Sequence, residues 1–340
     1  MKLQSARDLK LEVFEAVVKP FAEEAAATML KPLSVSAGSA KPRPHRSFAL
    51  GIARRAGEFK LAIRVQRQSL MLGKVIEKLK AKGEFDLRLV GRVDKRPAKL
   101  KAKPLAVQPW NREDVRPMII GTSIGHQVVT AGSLGAIVRE SGNSQVFVLS
   151  NNHVLANEND ASKGDIVLQR AHADGGRVGM QDVALLERFQ AIDFTGRNTF
   201  DAGIASTKSD VISPTLLRGI ENGGDRELRG VSAVDIEDVF KVGRTTGATA
   251  DRITAIEVDN VVIGYEAGDA TFDDCIEIES NSNEPFSDGG DSGSLIVNRE
   301  MNAVGLLFAG SDTGGSNGLG VTYANSLLTV LQGLNVQLEF

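Results

Sequence analysis

A serine hydroxyl attacks carbonyl carbon usefully only where a base takes its proton during the attack. The stretch FSDGGDSGSLIV, residues 286–297, sets Ser292 among small residues and runs at once into the apolar Leu295, Ile296 and Val297. Glycines there leave room for a sharp turn, and such a turn can aim backbone N–H groups at a negative charge developing beside the hydroxyl. The base must come from one of four histidines. His45 lies in a Pro-rich stretch, His126 follows glycine in SIGH near a strand start, and His172 sits in the polar AHADGG, so these read as structural or solvent-facing. His153 directly follows the apolar run of VFVLSNNHVLA, in a turn that carries two asparagines. An acid must hold the other imidazole nitrogen, and in NTFDAGIAS the carboxylate of Asp201 stands at the lip of an apolar strand. Singly, a Ser-Gly pair is usually a turn and a lone histidine a hydrogen-bonded structural residue. The three together point to nucleophilic catalysis. Cys275 opens an apolar alternation and reads as a small core residue. The histidines and the cysteine show no metal-ligand spacing, NENDASKGD (157–165) lacks the glycine and terminal glutamate of a calcium loop, and no cofactor is implied.

GDSGS (290–294), NNHVLA (151–156) and DAGIA (201–205) resemble the three signature segments of trypsin/chymotrypsin-like serine proteases, in the chain order His, Asp, Ser that those enzymes use. VGRTTGAT (242–249) is similar to a segment of the bacterial members. SIGHQVVTAGSLGAIV, DIVLQRAHADGG and VGLLFAG are similar to the intracellular trypsin-like group that includes the plant narrow-leaf protein. The resemblance covers residues 119–340. It implies Ser292 as nucleophile, His153 as general base and then acid, Asp201 as the orienting carboxylate, and the N–H groups of Gly290 and Ser292 as an oxyanion hole. In zymogen-type relatives the acid at the position of Asp291 pairs with an amine released by cleavage. IIGT (119–122) faintly resembles such a terminus, with Pro117 close to the required cut. In bacterial relatives an arginine replaces that amine, so Arg244 is expected to pair with Asp291 and hold the oxyanion loop formed without processing. The residue six before the nucleophile lines the base of the family's primary pocket. Here it is Phe286, which disfavours a basic substrate residue and favours a small or apolar one, with Gly310 also at the pocket and Asp312 able to approach from the other wall.

The elements that must position these groups are legible in outline. Of 340 residues 42% are hydrophobic, which is enough for a sizeable core, and 35 glycines with 5% aromatics suit short strands better than long helices. From Ile119 onward short apolar segments alternate with turns, and SLLTVLQGL (326–334) reads as a closing helix. The expected fold is mostly β: two antiparallel six-stranded β-barrels of chymotrypsin-like kind, with a small N-terminal α+β module and a C-terminal helix. The module, residues 1–103, comprises a helical stretch over 4–31 in which Pro20 kinks the helix or starts a second one, a loop over 31–46, strands at 47–53 and 58–66, a helix over 70–83, a strand at 85–93 and a basic linker over 94–104. The protease unit is 104–340.

The formal net charge of −3 divides into +14 over residues 41–103 and −17 over 104–340. The positive patch could attract an anionic partner such as nucleic acid or acidic lipid, but no aromatic stacking platform or recognised motif accompanies it. Packing against the acidic unit, in its own subunit or in a homo-oligomer, is the favoured reading. A lone cysteine, a charged amphipathic N-terminus and no apolar stretch long enough for a membrane span predict a soluble cytoplasmic protein. Two functions follow: an intracellular serine endopeptidase acting on protein or peptide substrates, or a protease-fold scaffold or regulatory binding protein with latent activity.

Overall fold

Strands account for most of the regular secondary structure among the described residues, because short apolar alternations are cut every few residues by glycine, asparagine or aspartate. The computed structural model describes residues 1–20, 48–67, 85–95, 109–142 and 144–340. The predicted loop over 31–46, the helix over 70–83 and the linker beyond Lys95 lie outside these. Helix α1 (Leu3–Val13) continues as a wide turn over Phe14–Val18. It lays Leu9 and Val13 on the apolar face of a hairpin formed by β1 (Phe48–Arg55) and β2 (Glu58–Val65). The hairpin turns at Ala56 and Gly57, whose φ of +50° and +83° suit the right-handed twist of paired strands. Two further strands follow, β3 (Phe85–Leu89) and β4 (Val93–Lys95).

The first large sheet is built from β5 (Ser123–His126), β6 (Gly132–Ser133), β7 (Ala136–Arg139), β8 (Val146–Ser150), β9 (Ile166–Leu168) and β10 (Asp182–Phe189). A short β11 (Arg197–Asn198) precedes β12 (Gly203–Thr207), which lies between β8 and β10. Residues 132–139 form one bent segment whose first half pairs with β5 and whose second half pairs with β8, so the sheet curls back on itself around Leu134, Ile137, Leu149 and Ile204.

After the hairpin β13 (Leu216–Glu221) and β14 (Gly224–Glu227) and a short β15 (Gly230–Val231) come β16 (Asp238–Gly243), β17 (Gly247–Asp259), β18 (Val261–Gly264), β19 (Asp269–Phe272) and β20 (Cys275–Glu279). β21 (Leu295–Asn298), β22 (Asn302–Gly310) and β23 (Thr322–Ser326) complete this part, and helix α3 (Leu327–Gly333) leads to β24 (Gln337–Leu338), which returns to β7. The ring β16–β17–β20–β23–β22–β21 closes on itself, antiparallel throughout, as a six-stranded barrel. The fold is therefore mostly β, a closed barrel beside a curled sheet with a helix near each end, as the sequence predicts.

The N-terminal strands are hydrogen-bonded into this body. β1 pairs with β17, β3 continues the sheet in parallel with β2, and β4 lies between β22 and β18. A buried ion network fastens them. Arg64 of β2 is fully buried, with Nε 2.8 and 2.7 Å from the two carboxylate oxygens of Glu277 on β20 and Nη2 3.0 Å from Asp86 on β3. At the surface Arg7 and Lys10 of α1 pair with Glu257 and Asp259.

Candidate active site

The end of β8 delivers His153 into a one-turn helix, α2 (Asn152–Leu155). Both neighbouring asparagines act as ties: Asn151 donates to the Asp201 carbonyl at 2.7 Å, and Asn152 donates to the Gln190 carbonyl at 2.7 Å. His153 Nδ1 lies 2.6 Å from Asp201 Oδ2, and the His153 backbone N–H donates to Asp201 Oδ1 at 3.3 Å. A proton held on Nδ1 by this carboxylate leaves Nε2 with its lone pair. His153 Nε2 is buried and has no hydrogen-bond partner among the described residues.

Asp201 is wholly buried, and two further residues hold it. Its backbone N–H donates to Asn325 Oδ1 at 2.9 Å, and the hydroxyl of Tyr265 donates to Oδ2 at 2.8 Å. The Tyr265 ring stands edge-on to the imidazole, with centroids 6.0 Å apart. Burial, and then the Asp201 charge, push the Tyr265 phenol well above its ordinary value, so it remains a donor.

The other half of the site is the turn before β21. Gly290 and Gly293 take φ of +96° and +90°. A Cβ on Gly293 would lie 2.1 Å from Ser150 Oγ and 2.4 Å from the Ser133 carbonyl, so only glycine fits between the strands here. The Ser292 carbonyl accepts from the Ser133 N–H at 2.7 Å, and the Gly293 N–H donates to the Leu307 carbonyl at 2.8 Å. A Cβ on Gly132 would lie 2.4 Å from Val154 Cγ2 and 3.0 Å from the Ser292 carbonyl oxygen. Strand β6 is thus the floor on which the Ser292 turn and the His153 helix both rest.

The backbone of the turn is anchored through its carbonyls. Gly289 accepts from Thr245 Oγ1 at 2.6 Å, and Gly290 accepts from Ser133 Oγ at 3.1 Å. Ser133 Oγ in turn accepts from the Arg244 N–H at 2.9 Å. A trans peptide sets C=O and N–H on opposite sides, so fixing the Gly289 carbonyl on Thr245 aims the Gly290 N–H away from Thr245.

Asp291 and Arg244 are not partners, contrary to the sequence-based expectation. Asp291 is fully buried, and its oxygens accept from the N–H groups of Thr245 (2.7 Å), Thr246 (3.2 Å) and Asp288 (3.0 Å) and from Thr246 Oγ1 (2.8 Å). The cation facing it is Lys241, at 3.6 Å with both side chains fully buried. Lys241 also donates to Thr246 Oγ1 at 2.6 Å. Burial pulls the Lys241 ammonium below its ordinary value while Asp291 works the other way. Arg244 follows the end of β16, and its guanidinium reaches instead to Asp174, with Nε 2.8 Å from Oδ2. Asp174 also accepts from Ser123 Oγ at 2.7 Å.

The remaining candidates are placed as follows. Phe286 is 2% exposed in an apolar cluster with Val239, Ile296 and Leu307, and Lys241 Nζ lies 5.5 Å from its ring centroid. Gly310 ends β22, paired with Thr322 on one side and Asp94 on the other, and Asp312 is exposed. Ile119 and Ile120 are buried within the chain, the latter in the core of the curled sheet. His126 is buried with Nε2 3.2 Å from Asp165, His172 is exposed, and His45 lies outside the described residues. Cys275 is fully buried, and burial pushes its thiol well up. Sequence reasoning missed Tyr265, Lys241 and Ser133. A lone cation inside the apolar VFKVG, two residues from the inward Val239, was a signal for Lys241. Tyr265 is one of two tyrosines in the chain, and nothing local to it announces Asp201.

No family model and no curated protein matches the chain. Solved structures that resemble it include several proteases. Thermobifida fusca Protease A aligns over 65% of this chain and 97% of its own at 21% identity and TM-score 0.45. Nocardiopsis protease aligns over 65% and 98% at 21% identity and TM-score 0.46, and Cellulomonas bogoriensis chymotrypsin over 65% and 97% at 19% and 0.45.

Proposed function

We propose that the chain is a serine endopeptidase whose nucleophile is Ser292. The observation that carries this is the 2.6 Å pair of His153 Nδ1 and Asp201 Oδ2, with Nε2 buried and without a hydrogen-bond partner among the described residues where the helix of His153 meets the turn of Ser292 on β6. In the reaction Ser292 Oγ bonds to the carbonyl carbon of a peptide while its proton passes to His153 Nε2. The imidazolium so formed is balanced by Asp201, whose second donor, Tyr265, holds the carboxylate in place. The carbonyl oxygen becomes an oxyanion facing the N–H groups of Gly290 and Ser292, whose turn is braced by Thr245, Ser133 and the buried Asp291. Collapse breaks the C–N bond, and the amine leaves with the proton from Nε2. Water then repeats the sequence on the ester and releases the acid. Phe286 places no carboxylate in the primary pocket, so a small or apolar residue before the cleaved bond fits best. The single cysteine supports an intracellular site of action.

A small activated ester tests the chemistry without requiring a matched peptide. With p-nitrophenyl butyrate, acyl-enzyme formation gives a burst of p-nitrophenolate followed by a slower steady rate. Ser292→Ala and His153→Ala should each lower kcat/KM by about 10⁴-fold or more. A steady rate that survives Ser292→Ala would assign the esterase activity elsewhere and remove the proposal.

A further inference from the structure

Strand β22 has two different neighbours along one edge. Up to Leu306 that edge is covered by β21, with Leu295 opposite Leu306 as the last pair. There β21 peels away into the nucleophile turn, leaving Gly293 hydrogen-bonded to Leu307. The next stretch of the same edge, Ala309 and Gly310, is filled by β4: Lys95 stands opposite Ala309 and Asp94 opposite Gly310, antiparallel. Each step forward along β4 is therefore a step back along β22, toward Leu307 and the turn of Ser292.

β4 also bridges to the other half of the site. Its far side pairs in parallel with β18, Val93 opposite Ile263 and Asp94 opposite Gly264, one residue before Tyr265. Lys95 Nζ pairs with the buried carboxylate of Glu158, in the turn that follows the helix of His153, and lies 3.3 Å from Glu266. Val93 is 1% exposed. Main-chain pairing with an exposed strand edge is how an extended peptide is commonly held, with alternate side chains read by pockets. An extended peptide presenting its carbonyl to Ser292 along β22 needs the register that Asp94 and Lys95 occupy.

On the reading of this site as a protease, we infer that residues 93–95 are a built-in competitor for the substrate strand. The described conformation is then a latent one, and β4 must leave Ala309 and Gly310 before an extended polypeptide is cleaved. A small reagent that reaches Ser292 without pairing along β22 escapes the block.

The test compares the full chain with Val93→Thr/Lys95→Glu, neither residue belonging to the catalytic groups. Cleavage of fluorescein-labelled casein should rise about tenfold or more, as expected when the open state is a minor population, while Ser292 labelling by a small fluorophosphonate stays within about threefold. Lys95→Arg should retain the block. Unchanged casein cleavage in a variant that unfolds at the wild-type temperature would overturn the inference. Lys95→Glu alone serves if the double variant does not fold. Should neither protein be labelled at Ser292, the protease reading has failed, and binding decides the strand's role separately. In the Ser292→Ala background, the Val93→Thr/Lys95→Glu protein should bind labelled casein about tenfold more tightly. Equal binding, or none in either protein, contradicts the competitor.

Discussion

Tyr265 and His153 share one oxygen of Asp201, so the position of the imidazole depends on a hydroxyl well separated from it in sequence. Tyr265→Phe keeps the ring and removes only that donor. A hydrogen bond to a charged acceptor is worth about 1.5–3 kcal/mol, so ester kcat/KM should fall by about tenfold to a hundredfold with little change in KM. An unchanged rate would show that Asp201 needs no second donor. Lys241 and Arg244 give a sharper contrast, because the sequence favoured the wrong cation. Lys241→Met leaves Asp291 buried without its ion pair, a loss of about 3 kcal/mol or somewhat less given the donors that remain, and should slow phosphonylation of Ser292. Arg244→Met uncovers Asp174 instead and leaves the Arg244 N–H on Ser133, so labelling should slow less. The reverse order would restore the Arg244–Asp291 pairing. The pairing of His153 with Asp201 was legible because each sits in a short motif whose neighbours explain it. Lys241 and Tyr265 act on residues of other strands, and those distances exist only in the folded chain.

At the scale of elements, the turn before β21 is constrained from both sides. Gly293→Ala would press a methyl into Ser150 and Ser133 at a positive φ, costing about 2–4 kcal/mol from overpacking and left-handed strain together. Urea unfolding measures this, and a variant as stable as wild type would mean that the turn can relax. Ser133→Ala cuts the link from the Arg244 N–H to the Gly290 carbonyl. It should slow phosphonylation and lower stability by about 2 kcal/mol for the two hydrogen bonds lost. Five of the six strands of the closed barrel were readable from alternation, as were the closing helix and the hairpin 48–65, whereas β23, TYANS, was not. The companionship of strands was not. Nothing in FDLRLVGRVDK says that 85–89 will lie parallel to β2 while 93–95 crosses to β22, because pairing across such separations is decided by burial of Val90 and Val93 and by the charges of Arg64 and Arg88.

For the whole molecule, the charge asymmetry seen in the sequence becomes a set of contacts between the N-terminal strands and the rest of the chain. Among the described residues Arg64 meets Glu277, Arg88 meets Glu279 and Lys95 meets Glu158. Arg64→Met would leave the buried Glu277 without its cation, while Asp86 keeps Arg88 and Arg55, and a loss of about 3 kcal/mol or more in thermal or urea unfolding is expected. A loss confined to the N-terminal strands, with the barrel unfolding as before, would show that they form a separate unit. The two tyrosines offer an independent check. Both are buried, and both phenols are pushed well above their ordinary value, first by burial and then by Asp201 at Tyr265 and by Glu277 at Tyr323. Folded values above unfolded ones mean that their contribution to stability is complete below about pH 10 and is lost as pH rises further. Tyrosinate absorbance should therefore appear in a single step with unfolding, and a tyrosine ionising near pH 10 in the folded protein would contradict its environment.

The most direct measurement is peptide mass spectrometry after treatment with a fluorophosphonate. The hydrolase reading requires one phosphonyl group per chain on Ser292, and its disappearance in His153→Ala. No adduct in a folded protein, or an adduct on Ser292 that forms as fast without His153, would contradict it.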